Sequence, residues 1–363
     1  MKTLYLHIGT PKTATTSLQH FCEENETIFK ENNYCYQLFP RKFRYINILR
    51  NGFFLSYKCY DENGDRREQE EEACFRQGMD MVLEHFRTYD NVILSDESMW
   101  SVAFKRGKPE LWEKIRREAD ENNYRVKVIV YLRRQDSLAD SWWNQKVKNG
   151  KRIYATSSWE DFTRDPSLLE LHYYEPIKRI EQYIGKENMI LRRFVISNED
   201  RNIRLFGNTH EIKRVLNMLP ELSDADNLFF KRITISMSEQ RTEHKGETMF
   251  SAEEALEFME PFREGNRKLM EEYFGKDEDL FQMDFSKNRK WTLDNTEMER
   301  DIISFIGSVA VQLRQENREL RARMKTMEKE WSASRKKAEE KESGKKNPLR
   351  KVVRGLKVKT TGR

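Results

Sequence analysis

Short apolar runs alternate with segments of helical periodicity along the first 200 residues. Apolar residues spaced three to four apart predict helices, and compact runs rich in β-branched side chains predict strands. The predicted strands are 2–8 (KTLYLHI), 91–94 (NVIL) and 125–132 (RVKVIVYL). The predicted helices include 15–25, 73–89, 109–123 and 136–150, and residues 171–194 predict a helix, a Gly stop and a further strand.

This alternation predicts an α/β fold with a central, mostly parallel sheet flanked by helices. The runs VKVIVYL and NVIL lack polar alternation, as expected for strands that are covered on both faces. Parallel sheets bind ligands at the carboxyl ends of their strands. Lys12, Glu97 and Arg133 each follow one of the three apolar runs, so we expect them at that edge.

The segment 302–331 has a different pattern. Its apolar residues follow steps of three and four, and Asn317 falls at a core position beside Leu320. A polar residue at such a position often fixes a two-stranded coiled coil. The pattern predicts a long helix or coiled coil over 300–335, which either forms a homodimer through 302–331 or lies on its own domain.

Composition and cysteine spacing bear on the compartment of the protein and on metal binding. The chain has 363 residues, of which 37% are hydrophobic and 35% charged, and no apolar run approaches the roughly 18 residues of a membrane span. The N-terminus lacks a secretion signal, and the four cysteines follow no metal-ligand spacing. We therefore expect a cytoplasmic protein with reduced cysteines and no metal site.

The net charge of +5 is unevenly distributed. The last twenty residues, 344–363, carry eight cations and no acid, which leaves −3 for the first 343 residues (+5 less +8). We expect 336–363 to be a disordered basic tail. Because apolar residues are interleaved with the cations, residues 344–363 can rest on an anionic membrane surface. Nucleic-acid binding is not expected, since the rest of the chain is slightly acidic.

The stretch GTPKTATTS, residues 9–17, joins the first strand to the first helix. A strand, a tight turn and a helix N-terminus form an anion site, because backbone N–H groups and the helix dipole point at the ligand. Lys12 adds a point charge, and hydroxyls follow it at Thr13, Thr15, Thr16 and Ser17. Nucleotide hydrolases use G-x-x-x-x-G-K-[ST] to help hold magnesium. Here Pro11 precedes the lysine, so the protein alone is expected to meet the phosphate charge.

This stretch resembles the phosphosulfate loop G-x-P-K-[ST]-G-T-[ST] of sulfotransferases, which use 3′-phosphoadenosine 5′-phosphosulfate (PAPS). Ala14 stands where that family mostly has Gly. The family's second motif, a strand-end Arg followed eight residues later by Ser, is similar to YLRRQDSLADSWWNQ, with Arg133 and Ser141. Together with FREGNRKLMEEYFG near residue 270, these motifs resemble bacterial carbohydrate sulfotransferases of the capsular or cell-surface polysaccharide type. The resemblance covers residues 1 to about 285.

The resemblance implies a P-loop-like sulfotransferase domain over 1–290 that needs no metal. It implies that Lys12 stabilises the leaving phosphate and that Arg133 and Ser141 bind the 3′-phosphate. The cofactor-binding set it implies is Gly9, Pro11, Lys12, Thr13, Ala14, Thr15, Thr16, Ser17, Arg133 and Ser141. The product would be adenosine 3′,5′-bisphosphate, and the acceptor a surface polysaccharide or glycolipid that receives sulfate on a hydroxyl or an amine.

The acceptor also needs a general base, and the sequence offers three candidates. Glu97 follows the NVIL strand at the expected ligand edge, and partial burial would raise its pKa. Asp96 is its immediate neighbour, and His7 lies within the first strand. We prefer Glu97 and keep the other two open.

Two other functions compete with this hypothesis. An ATP-dependent small-molecule kinase would use a related loop, but the Gly-Lys-Ser/Thr ending is missing. A non-catalytic scaffold would pair through 302–331 and bind the inner face of the plasma membrane through its tail. Magnesium dependence separates the first from a sulfotransferase, and the effect of Lys12→Ala separates the second.

Overall fold

The computed structural model describes residues 1–104, 110–150, 154–194, 204–244 and 246–345. The chain divides into two units, residues 1–298 and residues 299–363. The first unit contains every residue that the loop and strand-end motifs pointed to. Each unit is described by itself.

A parallel five-stranded sheet forms the centre of the first unit, in the order β2-β3-β1-β4-β5. All four neighbouring pairs are parallel. The prediction of an α/β fold with a mostly parallel sheet flanked by helices is confirmed. The strands are β1 Thr3–His7, β2 Tyr34–Cys35, β3 Asn91–Ser95, β4 Arg125–Leu132 and β5 Met189–Arg193.

Twelve α-helices of the first unit lie within the described residues. They are α1 Thr15–Glu24, α2 Glu26–Glu31, α3 Phe53–Ser56, α4 Glu68–Phe86, α5 Ser98–Val102, α6 Glu110–Glu121, α7 Gln135–Asn149, α8 Trp159–Thr163, α9 Tyr174–Ile184, α10 Thr209–Leu216, α11 Asp224–Gln240 and α12 Ala252–Leu269. Short 3₁₀ segments occupy Pro166–Leu171, Lys186–Asn188 and Thr242–His244, a π-helical turn spans Met270–Phe274, and β6 Glu247–Thr248 pairs with β7 Arg289–Lys290.

The core lies on both faces of the sheet. Leu4 and Leu6 in the central strand are fully buried, and alternate residues of β4 are buried beside them. The largest fully buried side chains, Trp100, Trp112 and Trp143, come from helices α5, α6 and α7. Burial of such side chains is the main favourable contribution to folding, and here it fixes the helices that carry the site.

The connections of the sheet place a crevice at its centre. The chain leaves β1 toward β2, whereas it leaves the neighbouring strand β4 toward β5. Where adjacent parallel strands are connected in opposite directions, a ligand crevice opens outside their carboxyl ends. The loop after β1 and the residues after β4 therefore share one crevice.

The described residues of the second unit lie in the long helix α13, Met298–Lys345. This helix runs ten residues beyond the end expected from the heptad pattern, so residues 336–345 of the expected tail are helical. The segment 346–363 of the expected disordered tail lies outside the described residues. Among the helices of the described residues, none has an apolar stretch that could cross a membrane.

Candidate anion-binding and catalytic site

The backbone that follows β1 stays attached to β4. Ile8 N–H donates to the carbonyl of Ile129 (3.1 Å), and Thr10 N–H donates to the carbonyl of Tyr131 (2.9 Å). Tyr131 N–H donates in return to the carbonyl of Gly9 (2.7 Å). The loop therefore starts from a fixed position at the centre of the sheet edge.

The backbone of the turn alternates between left-handed and other conformations. Lys12 (φ 65°) and Ala14 (φ 55°) are left-handed, whereas Thr13 between them is not. The Thr13 hydroxyl donates to the carbonyl of Thr10 (2.6 Å) and closes the turn. Alternating hands curl successive N–H groups into a concave nest that binds anions, and here the nest lies directly before the first residue of α1, Thr15.

The hydroxyls of the loop have different surroundings. The Thr13 side chain is buried and engaged within the turn, and Thr15 is also buried. Thr16 is exposed, and Ser17 and Pro11 are half-buried. Of the four hydroxyl residues that the sequence grouped together, Thr13 therefore has a local structural role.

Arg133 ties the end of β4 to the loop. Its side chain is buried, and Nη1 donates to the carbonyl of Lys12 at 2.7 Å. Tyr173, also buried, donates its hydroxyl to the carbonyl of Arg133 (2.6 Å) and so fixes the backbone there. Lys12 and Arg133, expected on separate strand ends, thus belong to one site.

Arg133 contacts Ser137, four residues further along the chain. Arg133 Nε and Nη2 both donate to the Ser137 hydroxyl, at 3.0 and 2.9 Å. Ser141 lies one turn further along α7 and is half-buried. Ser137 orients the guanidinium, and Ser141 stays the predicted phosphate contact.

The ammonium of Lys12 lies toward α7. Lys12 is half-buried, and its Nζ is 3.4 Å from Oε1 of Gln145. The amide oxygen holds the cation without neutralising its charge, unlike a carboxylate partner.

Arg134 points away from this site. It forms a bidentate ion pair with Asp136 (2.7 and 2.9 Å) and lies over the ring of Phe285. The helix α7, predicted from residue 136, begins at Gln135, and Asp136 lies in its first turn. Of the two adjacent arginines, only Arg133 faces the loop.

Glu97 lies against the loop from the β3 side. Asp96 N–H donates to the carbonyl of His7 (2.9 Å), which holds the end of β3 beside the end of β1. Gly9 then packs so closely that a Cβ there would lie 3.3 Å from the Cβ of Glu97. The loop therefore packs against the backbone and Cβ of the residue that the sequence nominated as base.

The carboxylate of Glu97 has one engaged oxygen and one unengaged oxygen. Oε1 is 3.3 Å from Arg50 Nη1, whereas Oε2 is buried without a hydrogen-bond partner among the described residues. Burial raises the pKa of Glu97 above its usual value of 4.5, and the Arg50 charge partly opposes this rise. A buried acceptor of this kind can take a proton from a bound group.

Asp96 has a structural role instead. It is fully buried and pairs with Arg50, and it accepts from the Ser56 hydroxyl (2.6 Å) and from Ser98 N–H (3.0 Å). These contacts use the lone pairs on both of its oxygens. Asp96 therefore positions Arg50 and the start of α5.

His7 is enclosed within the sheet. Its Nδ1 is 2.9 Å from the Ser95 hydroxyl, and its ring lies edge-on to Tyr131. Burial lowers the pKa of His7 to about 4, so the ring is neutral at neutral pH. Of the three candidate bases, Glu97 combines proximity to the loop with a raised basicity.

A groove of about 940 Å³ begins beside these residues. Its lining includes Ser56 and Ser98, which contact Asp96, and it continues to Glu170, whose carboxylate accepts from the Ser101 hydroxyl (3.1 Å). Its described lining contains serines, an imidazole, aromatic rings and charges of both signs: Ser56, Lys58, Ser98, Ser101, Val102, Phe104, Tyr154, Asp165, Pro166, Leu169, Glu170, His172, Glu175, Pro176 and Arg179.

A separate cluster of possible metal ligands surrounds His244. Ligand atoms of Glu243, His244 and Glu297 lie within 4.8 Å of one another. His244 Nδ1 is 2.8 Å from Glu247, and Nε2 is 3.0 Å from Glu297. Burial lowers the pKa of His244, but the two carboxylates together raise it above 6.5. An imidazolium that bridges two carboxylates accounts for this cluster without a metal.

Several residues of the site were missed by the sequence interpretation. Arg50 lies between residues 25 and 73, where the sequence predicted no helix or strand, and no local pattern connects it to Glu97. Gln145 and Tyr173 are likewise recruited through tertiary contacts. Ser137 carried a usable signal, since it lies in the first turn of the helix that follows Arg133.

Comparisons with known proteins identify no family for the chain. No family model matches, and no solved structure matches. An uncharacterized protein of Archaeoglobus fulgidus is 28% identical over 185 residues, which is 42% of this chain. The chain spans about half (47%) of the length of that relative.

Proposed function

We propose that the chain is a sulfotransferase that moves the sulfuryl group of PAPS to a hydroxyl or amine of a carbohydrate. The observation that carries this proposal is the hydrogen bond from Arg133 to the carbonyl of Lys12. It joins the two motifs that resemble the donor-binding motifs of sulfotransferases at one strand-end crevice.

The residues of the crevice suit a nucleotide that is phosphorylated at both ends of its ribose. The nest at 12–14 and the start of α1 offer N–H donors to a 5′-phosphate, with Lys12 as the accompanying charge. Arg133 offers a planar guanidinium to a second phosphate, and Ser137 holds it in place. Ser141, on the same helix, is the further hydroxyl in this set.

Glu97 and Lys12 have complementary roles in the proposed transfer. PAPS supplies a sulfuryl group whose sulfur can be attacked by the acceptor oxygen or nitrogen while the bond to the bridging phosphate oxygen breaks. Lys12 stabilises the negative charge that develops on the leaving phosphate. Glu97 Oε2 accepts the proton that the acceptor loses. The products are the sulfated acceptor and adenosine 3′,5′-bisphosphate.

The groove beside Glu97 suits a carbohydrate acceptor. Serine hydroxyls and carboxylates such as Glu170 can bind sugar hydroxyls, and the rings of Phe104 and Tyr154 offer apolar faces. Burial raises the pKa of Glu170, although its contact with Ser101 opposes the rise. Because the lining carries charges of both signs, the groove favours a hydroxyl-rich acceptor over a polyanion.

Nucleotide binding tests the proposal directly. Adenosine 3′,5′-bisphosphate at 100 times its dissociation constant should stabilise the protein by about 2.7 kcal/mol in thermal unfolding. Lys12→Ala and Arg133→Ala should remove most of this stabilisation, whereas the controls Lys30→Ala, from an exposed ion pair in α2, and Arg134→Ala should keep it. AMP, which lacks the 3′-phosphate, should lose less affinity in Arg133→Ala than the bisphosphate does, because it forfeits only the support that Arg133 gives to the loop.

The competing functions give different results in the same experiments. A kinase would be stabilised by ATP with magnesium and not by the bisphosphate. A scaffold would keep its biological activity in the Lys12→Ala variant. If neither nucleotide stabilises the native chain, the sulfotransferase proposal is wrong.

A further inference from the structure

The helix α13 presents an apolar seam to solvent. The seam residues are more than half exposed, and they lie at successive turns of one helix face. They are Leu313 (52%), Leu320 (59%), Met324 (60%), Met327 (67%) and Trp331 (67%). A stripe of this kind that repeats over several turns is typical of a surface that another helix covers.

The spacing defines a heptad register. From residue 313 the seam follows steps of 4, 3, 4, 3 and 4 through Asn317 to Trp331. Leu320 and Met327 then occupy d positions, and Asn317, Met324 and Trp331 occupy a positions. Val309 is four residues before Leu313, which interrupts the regular repeat. The uninterrupted seam therefore starts at Leu313.

The flanking charges identify the orientation of the partner. In a parallel, in-register pair each g residue faces the e residue of the following heptad on the other chain. The three such pairs here are Glu316 with Arg321, Arg323 with Glu328, and Glu330 with Arg335. All three pairs are of opposite sign, and all six residues are exposed.

The antiparallel arrangement of the same seam is unfavourable. It would place Asn317 opposite Met327 and leave a polar amide against an apolar side chain. It would also place g residues opposite g residues, so that Arg323 would face its own copy and Glu316 would face Glu330. In the parallel pair, by contrast, Asn317 meets Asn317.

We infer that a second copy of this chain covers the seam, as a parallel, in-register, two-stranded coiled coil over residues 313–335. Asn317 fixes the register and the number of strands, and the three charge pairs select the orientation. The pairing uses only residues of the second unit and is independent of the proposed enzymatic activity.

Sedimentation equilibrium of the full chain tests the number of strands. The expected result is a mass twice that of one chain at micromolar concentration. A monomer or a trimer would overturn the inference. The orientation is tested by Leu320→Cys, which should cross-link to its own copy under mild oxidation, whereas the control Ala322→Cys, on the outer face of the helix, should not. Failure of Leu320→Cys to cross-link in a dimer would also overturn it.

A charge exchange provides a second test of orientation. Arg323→Glu should raise the dimer dissociation constant about tenfold, because it makes two symmetric pairs repulsive. Adding Glu328→Arg should restore the native value. In the antiparallel arrangement Arg323→Glu merely replaces one like-charge contact with another, so an unchanged constant would contradict the parallel pair.

Discussion

At the scale of single residues, the two neighbours Asp96 and Glu97 have different roles despite their similar chemistry. Asp96 is fully buried and satisfied by Arg50, Ser56 and the start of α5. Glu97 shares Arg50 through one oxygen only, and its other oxygen has no hydrogen-bond partner among the described residues. One carboxylate therefore stabilises the fold, and the other is suited to proton transfer.

This difference predicts separate effects of the two amide substitutions. Glu97→Gln should lower the turnover of sulfate transfer about 10²- to 10⁴-fold while unfolding changes little, because it removes a general base. Asp96→Asn should cost about 3–5 kcal/mol of unfolding free energy, because it removes the fully buried charge that pairs with Arg50. Turnover and chemical denaturation of both variants check this. A fully active Glu97→Gln enzyme would exclude Glu97 as the base.

The pH dependence follows from the same contacts. Because the base must be ionised, turnover should rise with pH through the raised pKa of Glu97 and then reach a plateau. The charge of Asp96 also raises the pKa of Glu97, whereas Arg50 lowers it. In any Asp96→Asn enzyme that folds, the rising limb should therefore move to lower pH. If the rising part of the pH profile of turnover does not shift in this variant, a group other than Glu97 sets the pH dependence.

Ala14 shows a second residue-scale effect. Its φ of 55° is costly for a side chain with a Cβ, by about 1 kcal/mol. We expect Ala14→Gly to raise the unfolding free energy by about 0.5–1 kcal/mol, measured by denaturant titration. The matched control is Ala73→Gly, on the exposed face of α4, which should lower it by about 1 kcal/mol. Equal losses in both variants would contradict the strain at Ala14.

At the scale of elements, periodicity identified the sheet strands that carry the site. β1, β3 and β4 are formed by apolar runs whose length and β-branched content are local properties of the sequence. The order of the strands depends on which helices cover which face, and no local pattern encodes that. The site shows the same contrast between local pattern and tertiary packing. The loop at 9–17 could be recognised from the sequence. Arg50, Gln145 and Tyr173 contact Glu97, Lys12 and Arg133 only through tertiary packing.

The helix α7 illustrates that a sequence motif can indicate which helix carries a residue without predicting which side chains are in contact. The Arg133–Ser141 spacing pointed to the helix that follows β4. Side-chain length and the helical turn then decide that Ser137, four residues away, receives the guanidinium. The eight-residue spacing alone does not contain that geometry.

The ion cluster at His244 predicts a pH effect on stability. The pKa of His244 is higher in the folded chain than its usual value of 6.5. Its ion pairs therefore contribute fully to the free energy of unfolding below pH 6.5, and this contribution is lost as the pH rises through the folded-state pKa. Allowing for solvent screening, the contribution is about 1 kcal/mol or less. The unfolding temperature of the native chain should therefore fall by about 2–4 °C as this group deprotonates.

The variant His244→Gln isolates this contribution. It should flatten the pH dependence of the unfolding temperature above pH 6.5, whereas His20→Gln, on α1, should leave it unchanged. Identical slopes in the native chain and in His244→Gln would show that the carboxylates of Glu247 and Glu297 do not hold an imidazolium.

At the scale of the whole molecule, the sequence divides its charge between a near-neutral body and a basic terminus. Deletion of residues 344–363 should leave turnover in solution intact, because the site residues all lie in the first unit. It should abolish sedimentation with anionic vesicles, since each cation near such a surface contributes about 1 kcal/mol. Neutral vesicles are the control. Cosedimentation that survives the deletion would assign lipid binding to another surface.

The exposed seam of α13 has a consequence for where the protein resides. If two chains pair in parallel, their two basic termini leave the same end of the pair and can engage one lipid surface together. The second attachment is then intramolecular, so avidity multiplies two weak anchors. If the chain binds membranes in this way, diluting it below the dimer dissociation constant would release it from the surface, and membrane binding would then report the protein's own abundance.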